Sequence, residues 1–242
     1  MNRLFLIIVT VCSLLVSAAA SGADTADMDT CNRLYYEADY EQAVGCYEGL
    51  GTSPEILFNI GNSYVRMDRP GYAVLYYLRG LCLAPEDSDL HNNLAQVRRE
   101  YSLFQPDPSF ADRFFTGLTI SQWTYACLAV CALYPLFLGF ALAKRKSRIT
   151  IGSTTMLCLL LLAFGIAGAR YHYVQWQKSV VVETDRLLVS PFEKAESVGT
   201  IAQGRLVSPH KTYRDFVYVI DEAGRKGWLH RTSLQPILPK EE

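Results

Sequence analysis

Three uncharged apolar blocks divide the chain, at residues 4–20, 120–143 and 149–169. As a helix rising ~1.5 Å per residue, the second and the third block are each long enough to cross the roughly 30 Å hydrocarbon core of a bilayer. Polar and apolar residues mix in the segments 21–119 and 170–242. The pattern predicts a multidomain membrane protein with two transmembrane helices and two small water-soluble domains. It excludes a single soluble globule and a disordered chain.

Residues 1–20 have the pattern of a secretory signal peptide. Arg3 supplies a positive start, Leu4–Val16 form an apolar stretch, and the small residues at 18–20 fit a cleavage site. Cys12 lies inside the apolar stretch, which does not match a lipoprotein signal. An uncleaved anchor helix is the alternative, and in both cases the following segment is exported.

A basic loop at 144–148 joins the two predicted transmembrane helices. Lys144, Arg145, Lys146 and Arg148 place four positive charges in five residues, whereas the outer flanks of the two helices carry fewer. Cytoplasmic loops carry this excess of Lys and Arg. We therefore expect the loop in the cytoplasm and both soluble domains on the exported side, in agreement with the signal peptide.

The exported segment 21–104 contains a helical repeat. Counting from Pro54, seven residues match one pattern at the seventh, eighth, eleventh, twentieth, twenty-fourth, twenty-seventh and thirty-second places: Ile60, Gly61, Tyr64, Ala73, Tyr77, Gly80 and Pro85. This resembles the tetratricopeptide repeat, in which two helices pack within about 34 residues. Its small residues let the helices approach, and its tyrosines fill the spaces between them. The resemblance implies an α-helical solenoid.

The residues on both sides extend this repeat. Upstream, Leu34, Ala43 and Tyr47 keep the same spacing, in a repeat shortened to 30 residues between Ala43 and Ala73. Downstream, we expect Ser88 to cap a helix over Asp89–Tyr101 that forms half of a third repeat.

The segment 105–119 is predicted as a linker with a short helix at the membrane surface. Prolines at 106 and 108 end the preceding helix. Phe110, Phe114, Phe115 and Leu118 can share one apolar helix face, which is typical of an interfacial helix. The alternative is that these aromatic residues pack under the soluble domain.

The segment 178–239 is predicted as a small all-β domain. Four stretches rich in β-branched or aromatic residues indicate strands, and Asp221–Trp228 indicates a hairpin. The strand stretches are Val180–Val182, Leu187–Val189, Gly199–Ile201 and Phe216–Ile220. The Asp/Gly hairpin followed by Gly227-Trp228-Leu229 resembles the bacterial SH3-like barrel.

Composition removes several classes of function. With 23 basic and 24 acidic residues, the chain has no polycationic surface, so no nucleic-acid partner is expected. The chain has no phosphate loop, no His-Glu-x-x-His and no Gly-x-Ser-x-Gly motif, so we expect neither an enzyme nor a cofactor. The acidic residues of the tail, at 183, 185, 193 and 196, are interpreted as a solvated face.

The seven cysteines and four histidines do not predict a metal site. No Cys-x-x-Cys pair exists, and the histidines are scattered along the chain. Cys31 and Cys46 lie in the exported segment, where a disulfide between them is one alternative. The other alternative, favoured by their repeat positions, is that they are small helix-packing residues.

The order of signal, tetratricopeptide repeats, membrane hairpin and SH3-like tail resembles the BatE-type proteins of the Bacteroides aerotolerance operon family. The resemblance implies a bacterial inner-membrane protein with two spans and both terminal domains in the periplasm. It also implies partners among envelope membrane proteins that carry von Willebrand factor A domains, in a stress- or aerotolerance-related system. The first hypothesis is therefore a membrane-anchored scaffold without catalytic activity.

The groove positions of tetratricopeptide proteins carry over to this chain as candidate partner-binding residues. Asparagines dominate the set, and an Asn side chain both donates and accepts hydrogen bonds from an extended peptide backbone. The candidates are Asn32, Tyr36, Phe58, Asn59, Asn62, Arg66, Asn92 and Asn93. The alternative is that these asparagines are ordinary soluble-face residues or hydrogen-bond the helix ends.

The second hypothesis is a cell-wall module that binds peptidoglycan or another glycan through the tail. The candidate aromatic face consists of His210, Tyr213, Tyr218 and Trp228. Trp228 has a second interpretation, as a core residue of the barrel.

Overall fold

The computed structural model describes residues 25–103 and 109–238. The predicted signal peptide and residues 105–108 of the predicted linker therefore lie outside the described residues. The chain divides into two compact units, one ending at Thr52 and the other beginning at Ser53. Each unit is described by itself.

The first unit is a helix hairpin. Helix α1 covers Thr25–Tyr36 and helix α2 covers Tyr40–Gly49. Asp39 caps α2 by accepting a hydrogen bond from the backbone N–H of Gln42. Ala43, Val44 and Tyr47 are buried in the hairpin.

A disulfide joins the two helices of this hairpin, between Cys31 and Cys46, whose Cα atoms lie 5.4 Å apart. The expectation that these cysteines act only as packing residues is therefore wrong. Cys31 is both fully buried and disulfide-bonded, because the hairpin brings two cysteines that are fifteen residues apart in sequence side by side.

The second unit begins with three helices. Helix α3 covers Pro54–Arg66, α4 covers Pro70–Leu83 and α5 covers Ser88–Glu100. A Cβ atom at Gly61 would lie 2.5 Å from the Tyr77 ring, and one at Gly80 would lie 2.9 Å from Leu90. The expected role of these small residues in close helix packing is thus seen at both contacts.

The cap of α5 differs from the prediction. The carboxylate of Asp87 accepts hydrogen bonds from the backbone N–H groups of Asp89 and Leu90, and Ser88 is the first helical residue. Asp and Ser are about equally favoured as N-cap residues, so the adjacent Asp87 and Ser88 give no sequence basis for choosing the N-cap.

Three further helices follow: α6 at Phe110–Phe115, α7 at Ile120–Ala143 and α8 at Arg148–Trp176. Helices α7 and α8 are long and apolar enough to cross a membrane, and most of their surface is not covered by protein. Helix α7 has the predicted bounds, whereas α8 continues beyond residue 169 to Trp176.

Glycines let the two apolar helices approach each other. A Cβ atom at Gly168 would lie 2.5 Å from the indole ring of Trp123, and Gly165 faces Cys127. The indole Nε1 of Trp123 donates a hydrogen bond to the Phe115 carbonyl at 3.2 Å, which ties α6 to the start of α7. The aromatic residues of α6 therefore contact the hairpin that they precede.

The tail forms one seven-stranded sheet in which every neighbouring pair is antiparallel, in the order β3-β2-β6-β5-β4-β1-β7. The strands are β1 Ser179–Val181, β2 Asp185–Leu188, β3 Ser197–Ile201, β4 Leu206–Tyr213, β5 Phe216–Asp221, β6 Lys226–His230 and β7 Leu234–Pro236. The predicted hairpin is the turn between β5 and β6. Strand β4 was not predicted, because its sequence is mostly polar and contains Pro209.

Helix α4 and the sheet share one hydrophobic core. Ala73, Val74 and Tyr77 of α4 are buried in a single cluster with Val180 of β1 and with Val182, which directly follows β1. The helical segment and the sheet of this unit are therefore packed together.

Two polar and steric features hold this contact in register. Gly71 lies so close to the sheet that a Cβ atom there would stand 2.5 Å from the Val182 carbonyl oxygen. Arg79 donates two hydrogen bonds, from Nη2 to the Pro236 carbonyl at 3.1 Å and from Nε to the Ile237 carbonyl at 3.2 Å. The Gly71 end and the Arg79 end of α4 are thus both fixed to the sheet.

The substitution Gly71→Ala should destabilise the second unit. The added methyl group would overlap the backbone of Val182, and overpacking of this kind costs about 1–3 kcal/mol. The measurement is the denaturant unfolding free energy of the full-length protein in detergent. The matched control is Gly45→Ala in α2, where a Cβ atom meets nothing within 4 Å. Since Ala favours helix over Gly, the control should be neutral or stabilising. Equal effects of both changes would contradict the α4–sheet contact.

Candidate functional site

Two of the candidate groove residues, Asn32 and Asn62, make the same hydrogen bond in their own helix hairpins. The hydroxyl of Tyr47 donates to Oδ1 of Asn32 at 2.6 Å, and the hydroxyl of Tyr77 donates to Oδ1 of Asn62 at 2.7 Å. Both pairs are separated by fifteen residues. The two hairpins therefore have the same Tyr–Asn hydrogen bond in addition to the sequence spacing that they share.

Asn62 also contacts the third helix of its unit. Its Oδ1 accepts a second hydrogen bond, from Nδ2 of Asn93 on α5 at 2.8 Å. The Tyr77 side chain is 1% exposed, so this amide oxygen links a buried hydroxyl of α4 to α3 and α5. The Asn62 oxygen is therefore engaged within the protein, and the donors of this side chain are the two N–H groups of its NH₂.

The remaining candidates of the second unit lie on α3 and α5 with different degrees of exposure. Phe58 is half-buried, with its ring centroid 6.2 Å from that of Tyr77. Asn59 is half-buried, and its backbone carbonyl accepts a hydrogen bond from the Ser63 hydroxyl. Arg66 and Asn92 are exposed. We call the surface formed by Phe58, Asn62, Arg66, Asn92 and Asn93 the amide face.

Tyr36 and Asn32 belong to the first unit. Tyr36, the last residue of α1, is 83% exposed, and its ring lies edge-on to that of Tyr35. Asn32 is half-buried beneath its bond from Tyr47. Of the two candidate residues in this hairpin, Tyr36 is therefore the one with an exposed aromatic ring.

The basic residues of the loop between the apolar helices are all exposed. Lys144 and Arg145 follow the end of α7, and Arg148 is the first residue of α8. Ser147 caps α8 by accepting a hydrogen bond from the Thr150 N–H at 3.2 Å. The loop is a tight, strongly positive connection.

The candidate aromatic residues of the sheet do not form one open face. Trp228 is 9% exposed and packs with Leu188 and Phe216, so the core interpretation describes it. The Tyr218 ring meets Trp228 edge-on at 5.3 Å, and Lys211 Nζ lies 5.0 Å and 5.4 Å from the two ring centroids. The ammonium group therefore covers this pair by cation–π contact.

His210 and Tyr213 lie further along β4 and are exposed. Tyr213 is 42% exposed, and its ring meets that of Phe192, which is also exposed, at a centroid distance of 6.3 Å. The guanidinium of Arg214 lies 5.4 Å from the Tyr213 centroid. The sheet thus has an accessible patch that consists of two aromatic rings, Phe192 and Tyr213, and the guanidinium of Arg214.

A polar cluster around Asp185 was missed by the sequence analysis, which interpreted this residue as part of a solvated face. The Asp185 carboxylate accepts hydrogen bonds from the His230 backbone N–H at 2.8 Å and the Ser233 hydroxyl at 2.9 Å. His230 Nδ1 lies 3.0 Å from the same carboxylate, and His230 Nε2 lies 3.1 Å from Glu193 Oε1. Asp185 is 45 positions from His230 and 48 from Ser233, and Glu193 is 37 positions from His230, so no local pattern indicates these contacts.

The environment of this cluster shifts two pKa values in opposite directions. Burial alone would raise the pKa of Asp185, but hydrogen bonds from His230, Ser233 and Arg186 outweigh it and hold the pKa below 3.8. Burial alone would lower the pKa of His230, but Asp185 and Glu193 raise it above 6.5. The charged imidazolium, which donates from both ring nitrogens, is therefore favoured.

Chemically, the amide face can hydrogen-bond an extended backbone, and the Asp185 cluster holds strands β2 and β6 together. Among residues 25–103 and 109–238, no group of three His, Cys, Asp or Glu side chains is placed to hold a metal ion. Comparison with known protein families and with curated proteins finds no match to this chain.

Replacing Asn62 with Ala should destabilise the second unit. The change removes the acceptor of both the Tyr77 hydroxyl and the Asn93 amide, and losing such a buried partner costs about 1–3 kcal/mol. The unfolding free energy should fall by this amount, and by less when Tyr77→Phe is already present. Asn92→Ala, at an exposed position of α5, is the control and should change stability little. If Asn62→Ala behaves like this control, the hydrogen-bond assignment is wrong.

The Asp185–His230 pair predicts a pH dependence of the sheet's stability. Because the pKa of Asp185 is lowered in the folded protein, its carboxylate stabilises the fold above pH 3.8. This contribution is lost as the pH falls through the lowered pKa. Because the pKa of His230 is raised in the folded protein, its imidazolium stabilises the fold fully below pH 6.5. This contribution is lost as the pH rises through the raised pKa. The stabilisation should therefore be greatest between pH 3.8 and 6.5.

The measurement is the difference in melting temperature between the wild type and His230→Gln at several pH values. The difference should be largest in the weakly acidic range and shrink toward pH 9. His210→Gln, at an exposed position of β4, serves as the control for the removal of an imidazole from the sheet. A His230→Gln difference that stays constant with pH would contradict the assignment.

Proposed function

We propose that this protein is a membrane-anchored scaffold without catalytic activity, whose exported helices bind partner proteins of a bacterial envelope complex. The observation that carries the proposal is the amide face, which combines the amide side chains of Asn62, Asn92 and Asn93 with Phe58 and Arg66. Such a set can pair with an extended backbone, anchor one apolar side chain and bind a carboxylate.

The proposal identifies the helix hairpins as tetratricopeptide repeats. It is supported by the close contacts at Gly61 and Gly80 and by the Tyr–Asn bond that recurs in α1–α2 and α3–α4. The five-helix segment would then be a short solenoid of two repeats and a half repeat. The sheet is proposed as an SH3-like domain, in agreement with its small antiparallel strands and the tight β5–β6 turn.

The proposed location is the inner membrane, with α7 and α8 as its two spans and the helical segment and the sheet both in the periplasm. The basic loop at 144–148 supports this orientation. The disulfide between Cys31 and Cys46 gives independent support, because disulfides persist in oxidising compartments and are rare in the cytosol.

The proposed partners are envelope membrane proteins with von Willebrand factor A domains, as the resemblance to BatE-type proteins implies. An internal, extended segment of such a partner fits the amide face, because the positions where a clamp for a free carboxylate would need lysines are occupied by Met28, Phe58 and Asn92. The role in stress or aerotolerance rests on the resemblance alone.

A second candidate function, binding of peptidoglycan or another glycan by the sheet, is supported by the exposed patch of Phe192, Tyr213 and Arg214. The burial of Trp228 moves this candidate away from the face first expected. A peptidoglycan co-sedimentation assay of the detergent-solubilised protein tests it, with Tyr213→Ala as the variant. Retention that is lost in this variant would favour the wall-binding function.

Removing exposed groups of the amide face should reduce partner recovery without unfolding the protein. The double variant Arg66→Ala, Asn92→Ala removes two exposed polar side chains and keeps the Tyr77–Asn62–Asn93 bonds. After crosslinking in cells and detergent extraction, we expect at least about a fivefold loss of the co-purified envelope proteins, because losing two polar contacts of about 0.5–1.5 kcal/mol each weakens binding by that order.

The matched control is Arg69→Ala, Arg186→Ala, which removes exposed polar side chains elsewhere on the protein. The melting temperatures of both double variants are compared with that of the wild type, so that partner recovery is judged on folded protein. Equal partner recovery from the two double variants would contradict the amide face as the binding surface.

A further inference from the structure

A cavity of about 830 Å³ opens where the last turn of α8 meets the sheet. Tyr173 and Trp176 form its wall on α8, and Val217 and Leu234 line it from β5 and β7. Its walls are therefore largely apolar and aromatic. The amide face does not take part in it.

The charged residues that line this cavity are Arg79 and Arg231, and within the described parts of the chain no acidic side chain lines it. Arg79 is held in place by its bonds to the Pro236 and Ile237 carbonyls, which use two of the five N–H donors of a guanidinium. Arg231 is exposed, and its Nη2 donates to the Arg214 carbonyl at 3.2 Å. Both cations retain donors for an anion.

The position along α8 sets the depth of the cavity relative to a membrane. If the apolar stretch that ends at residue 169 fills the hydrocarbon core, Tyr173 and Trp176 lie roughly 6–10 Å beyond it at ~1.5 Å per residue. The headgroup layer extends about 5–8 Å beyond the core on each side, so Tyr173 lies within this layer and Trp176 lies at its outer edge. Tyr and Trp side chains are enriched at this depth.

A second cavity on the other side of Trp176 provides a comparison. It measures about 670 Å³ and contains Arg98 and Lys178, but Glu222 also lines it and attracts both cations. An anion entering this second cavity would meet a carboxylate, whereas an anion entering the first would meet cations only. The first cavity is the better anion site.

We propose that the cavity between α8 and the sheet binds the phosphate headgroup of an anionic phospholipid, with Arg79 and Arg231 as its cationic groups. This inference rests on the proposed membrane location. Arg79 provides the fixed contact and Arg231 the exposed one. Tyr173 and Trp176 contact the glycerol and the first carbons of the acyl chains. The ligand is a membrane lipid rather than free phosphate, because the walls beside the two cations are apolar.

The test uses the full-length protein in detergent and native mass spectrometry with phosphatidylglycerol or phosphatidylcholine of identical acyl chains. A basic side chain near a membrane surface favours an anionic lipid by about fivefold. We therefore expect phosphatidylglycerol to bind at least about fivefold more tightly than phosphatidylcholine. Arg231→Gln should lower the phosphatidylglycerol affinity by about fivefold and leave that for phosphatidylcholine unchanged.

The matched control is Arg186→Gln, an exposed Arg on β2 that does not line the cavity. It should keep the wild-type preference for phosphatidylglycerol. Because Arg79 also bonds to the backbone, its variant is Arg79→Lys, which keeps the charge and should retain the preference. Equal binding of the two lipids, or an Arg231→Gln variant indistinguishable from the control, would overturn the proposal.

Two further experiments distinguish a failure of the lipid proposal from a failure of the proposed membrane location. Glycerol phosphate, the headgroup chemistry without acyl chains, should not displace the lipid at equimolar concentration, and displacement would assign the cavity to a soluble phosphate. Carbonate extraction of cell membranes should leave the protein in the pellet. Extraction into the supernatant would overturn the membrane location together with the lipid site, whereas retention without lipid preference would overturn the lipid site alone.

Discussion

The packing of helix α4 against strand β1 is the contact on which the second unit depends. It exists because Gly71 has no side chain where the helix passes the Val182 backbone, and it is held by the two hydrogen bonds of Arg79. Val180 and Val182 then join the core of the helical segment. Since β1 follows α8 directly in the chain, the amide face is connected through this core to the apolar helices.

This arrangement gives a polar surface a fixed support. Asn62 accepts hydrogen bonds from Tyr77 on α4 and Asn93 on α5, and Tyr77 lies in the core that contains Val180. A side chain held by buried partners loses little conformational entropy when it binds a ligand. The proposed scaffold would therefore present its donors in one geometry relative to the membrane helices.

The parts of the fold that the sequence predicts are those set by local periodicity. The uncharged stretch 120–143 gives α7 its bounds, and the spacing of Gly61 and Tyr77 corresponds to an observed contact. The parts that it does not predict depend on residues distant in the chain. Asp185 meets His230 only after β2 and β6 pair, and the contact of Gly71 with Val182 depends on the joint packing of helix and sheet.

The most direct test of the account is a distance measurement between the helical segment and the sheet in lipid nanodiscs. Spin labels on genetically encoded residues at Gln96 of α5 and Lys226 of β6, both exposed, would report it by double electron–electron resonance. The shared core of α4 and the sheet predicts one narrow distance distribution, which Gly71→Ala broadens. A broad or multimodal distribution in the wild type would show that the helices move independently of the sheet and would contradict the shared core.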